Sequence, residues 1–295
     1  MSEQRPQYTL EDLLFLMKRL RDPINGCPWD LKQTYETIAP STLEEAYEVV
    51  DAIERGDYPH LQEELGDLLF QAIFYSQLAK EQNLFCFTDI VDTLVAKLIR
   101  RHPHVFPDGY LYSPVNNEAT TIATPDTKVH EVKQTWDAIK SAERQQKGMT
   151  GILADIPRAL PALTRATKLQ KRAAQVGFDW TNVPGVIQKL EEELEELQQA
   201  MDQQTPEAIE DELGDVLFTC VNLARHLSVD PETALRKANA KFTARFDHME
   251  KEAEQEGVTL AQLTPSELDK RWRSVKAREG NASSTAWQSL LPDQT

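Results

Sequence analysis

Ten acidic side chains in two matched groups are the residues whose types and spacing point to chemistry. Glu44, Glu45 and Glu48 form a Glu-Glu-x-x-Glu run, followed by Glu64 and Asp67 within Glu64-Leu65-Gly66-Asp67-Leu68-Leu69-Phe70. The pattern returns 148 positions later as Glu192, Glu193 and Glu196, followed by Glu212 and Asp215 within Glu212-Leu213-Gly214-Asp215-Val216-Leu217-Phe218. Like charges three or four apart on one helix repel, at some tenths of a kcal/mol per pair. A glutamate run standing alone reads as a solvated helix face. Repeated in the mixed context Leu43-Glu44-Glu45-Ala46-Tyr47-Glu48-Val49, it points instead to a bound divalent cation, which removes the repulsion.

The donors are all oxygens, which suits Mg²⁺, or Mn²⁺ in its place, rather than zinc. A di-iron site on helices needs Glu-x-x-His, and none of the six histidines has a glutamate three residues before it. Magnesium held by a few carboxylates keeps positions open for water and phosphate oxygens. Lys241 and Arg245, one helical turn apart, are suited to the remaining phosphate charge. Trp272 and Lys276 suit a base and a phosphate, although Trp272 is equally at home between helices. Lys97 and Arg101 repeat the i, i+4 cation spacing in the first half. Gly66 and Gly214 read as points of close helix packing, and His102 and His104 as the closure of a helix end.

Helices must position these groups, because the hydrophobic spacing is helical and there is no alternating strand pattern. Thr9 and Asp12 predict a capped helix that Pro23 ends. Asn25 to Asp30 reads as a loop, and the first acidic helix as starting after Pro40. Leu43, Ala46, Tyr47, Val50 and Ile53 lie on one side of that helix. Its partner, from about Pro59 to Gln82, carries Leu61, Leu65, Leu68, Leu69, Ala72 and Ala79 on one stripe. If the two stripes pack, the carboxylates meet along the seam. Further helices are expected over about 88–101, 130–147, up to 176, 186–201, 206–227, 231–256 and from Pro265. The implied organisation is a first module at 1–112, a linker and connecting helix at 113–150, a second module at 151–279, and a disordered tail at 280–295.

The formal charge of −16 argues against duplex nucleic acid as a partner. Three widely spaced cysteines indicate no disulfide framework or zinc site. No stretch has the length of a membrane span, the N-terminus has no apolar signal core, and the cytoplasm is the default compartment.

Taken together, the two acidic motifs resemble the motif of the all-α nucleoside triphosphate pyrophosphohydrolases. Asn25-Gly26-Cys27-Pro28-Trp29-Asp30, Arg101-His102-Pro103-His104-Val105-Phe106 and Gly177-Phe178-Asp179-Trp180 make the chain, from about residue 9 to 279, similar to the MazG family. The resemblance implies an all-α fold of tandem four-helix-bundle modules, a homodimer, and Mg²⁺-dependent conversion of nucleoside triphosphates to the monophosphate and pyrophosphate. It implies metal binding by Glu192, Glu193, Glu196, Glu212 and Asp215, and nucleotide contacts from Lys241, Arg245, Trp272 and Lys276. Glu44, Glu45, Glu48, Glu64 and Asp67, with Lys97 and Arg101, form the second candidate set. The first half has no match to the Trp272/Lys276 helix, so the second is the expected main catalytic module. Within the acidic set Glu193 is the expected water-orienting group, with Glu192 and Glu196 beside it. Two alternatives stand: a narrower enzyme acting on dUTP or phosphoribosyl-ATP, and a non-catalytic helical scaffold.

Overall fold

A computed structural model describes residues 7–112, 125–146, 148 and 151–288. Among them all regular elements are helical and none is a strand. The chain divides into a unit of residues 1–142 and a unit of residues 143–295. The division falls inside the segment expected as a linker, of which residues 113–124 lie outside the described residues.

In the first unit α1 (Leu10–Leu20) opens with the expected reciprocal cap. The Thr9 hydroxyl accepts from the Asp12 N–H, and the Asp12 carboxylate accepts from the Thr9 N–H at 2.8 Å. The chain then turns tightly, with the N–H groups of Gly26 and Cys27 donating to the carbonyls of Asp22 and Leu20. A Cβ on Gly26 would lie 2.4 Å from the Asp22 carbonyl oxygen, so glycine is required. The segment read as a loop contains a short helix, α2 (Pro28–Lys32), because Pro28 is pre-set for a first helical position. Arg21 ties this turn down, pairing with Glu81 at 2.7 Å and donating to the Asp30 carbonyl.

The acidic helix α3 (Tyr35–Arg55) starts earlier than Pro40 suggests. Thr34 caps it reciprocally with Thr37, and Pro40 sits inside its second turn. The cap satisfies orphan N–H groups, while a proline this near the N-terminus forfeits only one backbone bond. Gly56, at φ +68°, ends α3 and leads into α4 (Tyr58–Glu81). Then come α5 (Phe87–Arg101), closed by His102 with its ring nitrogen 2.6 Å from the Leu98 carbonyl, and α6 (Pro125–Gln146). The buried core is Met17, Ile38, Ile73, Phe74 and Leu78.

Of the expected stripes on α3 and α4 this packing fully buries only Ala79 and half-buries Ala46, Val50, Leu61, Leu68 and Ala72. Leu43, Tyr47, Ile53, Leu65 and Leu69 stay exposed, and Ile38, Ala52, Ile73, Phe74 and Leu78 go inside. Gly66 and Gly214 do not mark close packing either: a Cβ at either would meet nothing within 4 Å. Helical angle tells which residues share a face, but not which of two apolar faces the chain itself covers.

The second unit repeats the plan with α7 (Ala162–Ala174), α8 (Val183–Asp202), α9 (Pro206–His226) and α10 (Pro231–Gln255). Asn182 caps α8 by accepting from the Gly185 N–H, and Asp230 caps α10 by accepting from the Thr233 N–H at 2.8 Å. A short 3₁₀ turn and α11 (Pro265–Gln288) follow; α11 extends beyond Gly280, and residues 289–295 of the expected tail lie outside the described residues. The α3/α4 and α8/α9 hairpins have the most extensive helix contacts of their units.

Candidate functional site

Each hairpin gathers carboxylates from both of its helices. In the second unit, oxygens of Glu193 and Glu196 on α8 and of Glu212 on α9 lie within 4.8 Å of one another. In the first, Glu45 and Glu48 on α3 meet Glu64 on α4 within the same limit. Facing ligands in an octahedral Mg²⁺ shell stand about 4 Å apart. Two hard-oxygen triads of nearly that span fit such an ion with little adjustment.

The repulsion inferred from spacing is visible in the acid strengths. The Glu212 carboxyl has its pKa raised, by burial first and then by Glu196, Asp215 and Glu193. In the first unit burial raises Glu45, with Asp67 and Glu48 adding to it. Glu64 is raised by burial and by Glu48, against the pull of His60, whose Nδ1 is 3.2 Å away.

The structure does not bring all the expected acids into the triads. Glu44 is exposed, and Glu192 turns to Lys189, whose Nζ is 2.6 Å away. The same ammonium lies 2.9 Å from Glu193, which is 6 % exposed, and these contacts, that with Glu192 first, raise the lysine's pKa. Asp215 and Asp67 act on their triads through charge, and Asp215 lines an open depression with Glu207, Glu210 and Asp211. Lys189, His60 and Gln71, which donates to Glu45 at 3.4 Å, are partners that the sequence reading missed. The signal for Lys189 was its position three and four residues before Glu192 and Glu193.

The candidate cations lie on other helices. Lys241 is exposed on α10, and Arg245 stands over the Trp272 ring at 5.7 Å. Trp272, on α11, packs against Phe242 of α10 with ring centres 5.2 Å apart. Lys276 is exposed one turn further along α11. In the first unit Lys97 and Arg101 lie one turn apart on α5, which packs on α4.

A duplicated, all-helical protein whose two hairpins each collect carboxylates is the class defined by this arrangement. A family model, the MazG nucleotide pyrophosphohydrolase domain, matches residues 33–106 and again 184–250, covering both hairpins. The chain is 47% identical over 274 residues to the nucleoside triphosphate pyrophosphohydrolase of Escherichia coli, covering 92% of this chain and 98% of that one. It is 44% identical over 268 residues to the nucleoside triphosphate pyrophosphohydrolase/pyrophosphatase MazG of Thermotoga maritima, covering 90% and 95%. A protein of Mycolicibacterium smegmatis with the first of those names is 31% identical over 187 residues, covering 63% and 52%. The chain belongs to the MazG family.

Proposed function

We propose that this protein is a Mg²⁺-dependent nucleoside triphosphate pyrophosphohydrolase, converting a nucleoside triphosphate and water to the monophosphate and pyrophosphate. The observation that carries this reading is the pair of carboxylate triads, in a chain that aligns nearly end to end with relatives bearing that name.

In the second unit Glu193, Glu196, Glu212 and Asp215 would hold the cation, and Glu192 keeps the Lys189 ammonium at the cluster's edge. The first-unit set, Glu45, Glu48, Glu64 and Asp67, has the same donors. Magnesium, when bound there, supplies a Lewis acid toward phosphate oxygens and lowers the pKa of water. Glu193, with Lys189 at 2.9 Å, would orient the attacking water and take its proton. Water oxygen bonds to phosphorus at the α–β linkage, and the bridging oxygen leaves with the electron pair. Lys241, Arg245 and Lys276 answer the phosphate charge, with Trp272 steadying Arg245 beside the nucleotide.

Exposed Leu43, Tyr47, Leu65 and Leu69, and Leu194, Leu213 and Leu217 in the second unit, support a homodimer in which a second copy covers these faces. No helix among the described residues is long and apolar enough to cross a membrane, and we place the enzyme in the cytoplasm.

The test is Glu193→Gln, assayed for pyrophosphate release from each nucleoside triphosphate. Loss of at least a hundredfold in turnover with an unchanged melting profile is expected; near-normal turnover removes Glu193 from the mechanism. Calorimetry of the wild type with Mg²⁺ and a non-hydrolysable triphosphate separates enzyme from scaffold, since a scaffold gives no heat.

A further inference from the structure

One face of α4 carries His60, Glu64, Asp67 and Gln71, at the i, i+4, i+7 and i+11 positions that a helix brings onto one side. On α3 stand Glu45 and Glu48, whose oxygens lie within 4.8 Å of one of Glu64. His60 and Gln71 are not acids, and each touches this set. The His60 Nδ1 is 3.2 Å from a Glu64 oxygen. The backbone N–H of His60 donates to the capping Asp57 at 3.2 Å, which fixes the residue in the first turn. Neighbouring ligands in an octahedral shell with bonds of about 2.1 Å stand about 3 Å apart. The imidazole nitrogen and the carboxylate oxygen already have nearly that separation. Donors at i and i+4 on one helix also match the spacing by which a helical histidine pair chelates zinc.

Gln71 supplies an independent sign of a ligand. It is 8 % exposed and aims its amide at the cluster, donating through nitrogen to Glu45 at 3.4 Å. Its Oε1 is buried without a hydrogen-bond partner. Leaving a buried acceptor unmade is costly, and an amide facing carboxylates alone can offer them only its N–H groups. A half-turn about the last side-chain bond exchanges nitrogen and oxygen. A cation among the carboxylates would draw the oxygen round and satisfy it.

The duplication supplies an internal comparison. The 148-residue offset that superimposes the acidic motifs takes Ser41, His60 and Gln71 onto Lys189, Ala208 and Thr219. In the second unit the Lys189 ammonium lies 2.6 Å from Glu192 and 2.9 Å from Glu193, a resident positive charge that competes with a metal ion for those acids. The first unit has a serine at that position, an imidazole in place of a methyl, and a carboxamide in place of a short hydroxyl. All three differences raise its capacity for a metal, and the imidazole also changes which metal. Carboxylate and water donors suit Mg²⁺, whereas an imidazole nitrogen suits the first-row transition dications. We infer that the first unit holds a mixed nitrogen–oxygen metal centre that takes a first-row transition-metal dication in preference to Mg²⁺. His60 is its nitrogen ligand, Glu45, Glu48 and Glu64 are its carboxylates, and the Gln71 oxygen turns in beside them. The second unit, with oxygen donors alone, keeps Mg²⁺. The centre goes beyond the pyrophosphohydrolase reading, and its test needs no turnover.

The test uses the full-length protein carrying Glu196→Gln, which disables the acid set of the second unit, in the absence of nucleotide. Mn²⁺ and Mg²⁺ are titrated separately by calorimetry. The Mn²⁺-loaded protein is then examined by electron spin-echo spectroscopy for modulation from an imidazole nitrogen. One saturable Mn²⁺ site is expected, on the order of tenfold tighter than for Mg²⁺, with the nitrogen signal present. His60→Ala, which installs the residue of the second unit, should weaken Mn²⁺ on the order of tenfold, leave Mg²⁺ nearly unchanged and abolish the nitrogen signal. Gln71→Thr should weaken both ions alike, since it removes an oxygen donor. If His60 were only an ion-pair partner of Glu64, its loss would free the carboxylate and tighten both ions. That result would overturn the inference, as would equal affinities for the two ions, the lack of a saturable Mn²⁺ site, or a nitrogen signal that survives His60→Ala. Should His60→Ala fail to fold, the spectrum of the parent protein decides: a nitrogen signal sustains the centre, and its absence overturns it.

Discussion

Truncating Phe74 to alanine should cost the first unit far more stability than the same change at Asn222, its counterpart 148 positions on, costs the second. The Phe74 ring is 1 % exposed and packs with Met17, Ile38, Ile73 and Leu78. It meets Phe70 edge-on at 6.0 Å and lies under the Arg21 guanidinium at 5.4 Å. A buried Phe→Ala change costs about 3–5 kcal/mol. The ring–ring contact and the cation over the ring face, worth roughly 0.5–1 kcal/mol each, put this change in the upper part of that range, so about 4–5 kcal/mol is expected. Against a typical stability of about 5–15 kcal/mol, that lowers the melting temperature of a unit this size by about 8–20 °C. Asn222→Ala removes one hydrogen bond to Arg225 from the edge of a cavity that Asn222 lines with Phe178, Trp180 and Phe218, for about 1–2 kcal/mol. Urea titration read by hydrogen exchange of α4 and α9 amides reports the two units separately. Equal losses at the two positions, or a loss below about 2 kcal/mol for Phe74→Ala, would refute the claim that one is core and the other cavity wall.

Acid strengths predict a metal-dependent pH profile. Glu45, Glu64 and Glu212 have raised pKa values, so the fold favours their protonated forms, and in a chelator stability falls as pH rises through those values. Mg²⁺ should flatten that fall, as melting curves between about pH 5 and 8 would record; equal slopes with and without Mg²⁺ would count against a cation at the triads. Asp179 runs the other way: hydrogen bonding to Arg225 lowers its pKa, and its contribution vanishes as pH falls through that lowered value. Gly214→Ala should stabilise the metal-free chain by about 0.5–1 kcal/mol, since the new methyl meets open space. It should also weaken triphosphate binding, because Gly214 lines the depression beside Asp215; calorimetry and melting read the two effects, and destabilisation would mean that α9 is closely approached there. Glu196→Gln should remove the Mg²⁺ heat while leaving helix content unchanged, and retained heat would take Glu196 out of the cation set.

Much of the architecture was legible because its signals are local. Caps such as Thr9 with Asp12 and Asp230 before Pro231 work within one turn, and the observed helix starts follow them. Pro40 misled because a proline is tolerated inside α3 once Thr34 has capped the first turn. The acidic motifs foretold the triads, since residues three and four apart on one helix face the same partner. Which acids stand outside, Glu192 with Lys189 and exposed Glu44, depends on rotamers and cross-helix neighbours that spacing does not encode. The cavity was beyond reach for a similar reason. Gly177-Phe178-Asp179-Trp180 was visible as a motif, but the meeting of its aromatics with Gln170 and Asn222 is a tertiary fact.

Each triad, among the described residues, draws on a single hairpin, α3 with α4 or α8 with α9. The ancestral duplication therefore delivered two whole acid sets at once, not two halves that had to stay matched. A lineage could let one copy drift toward a structural office while its twin kept the older work, and the swap between phenylalanine and asparagine on α4 and α9 is the kind of scar such a division of labour leaves.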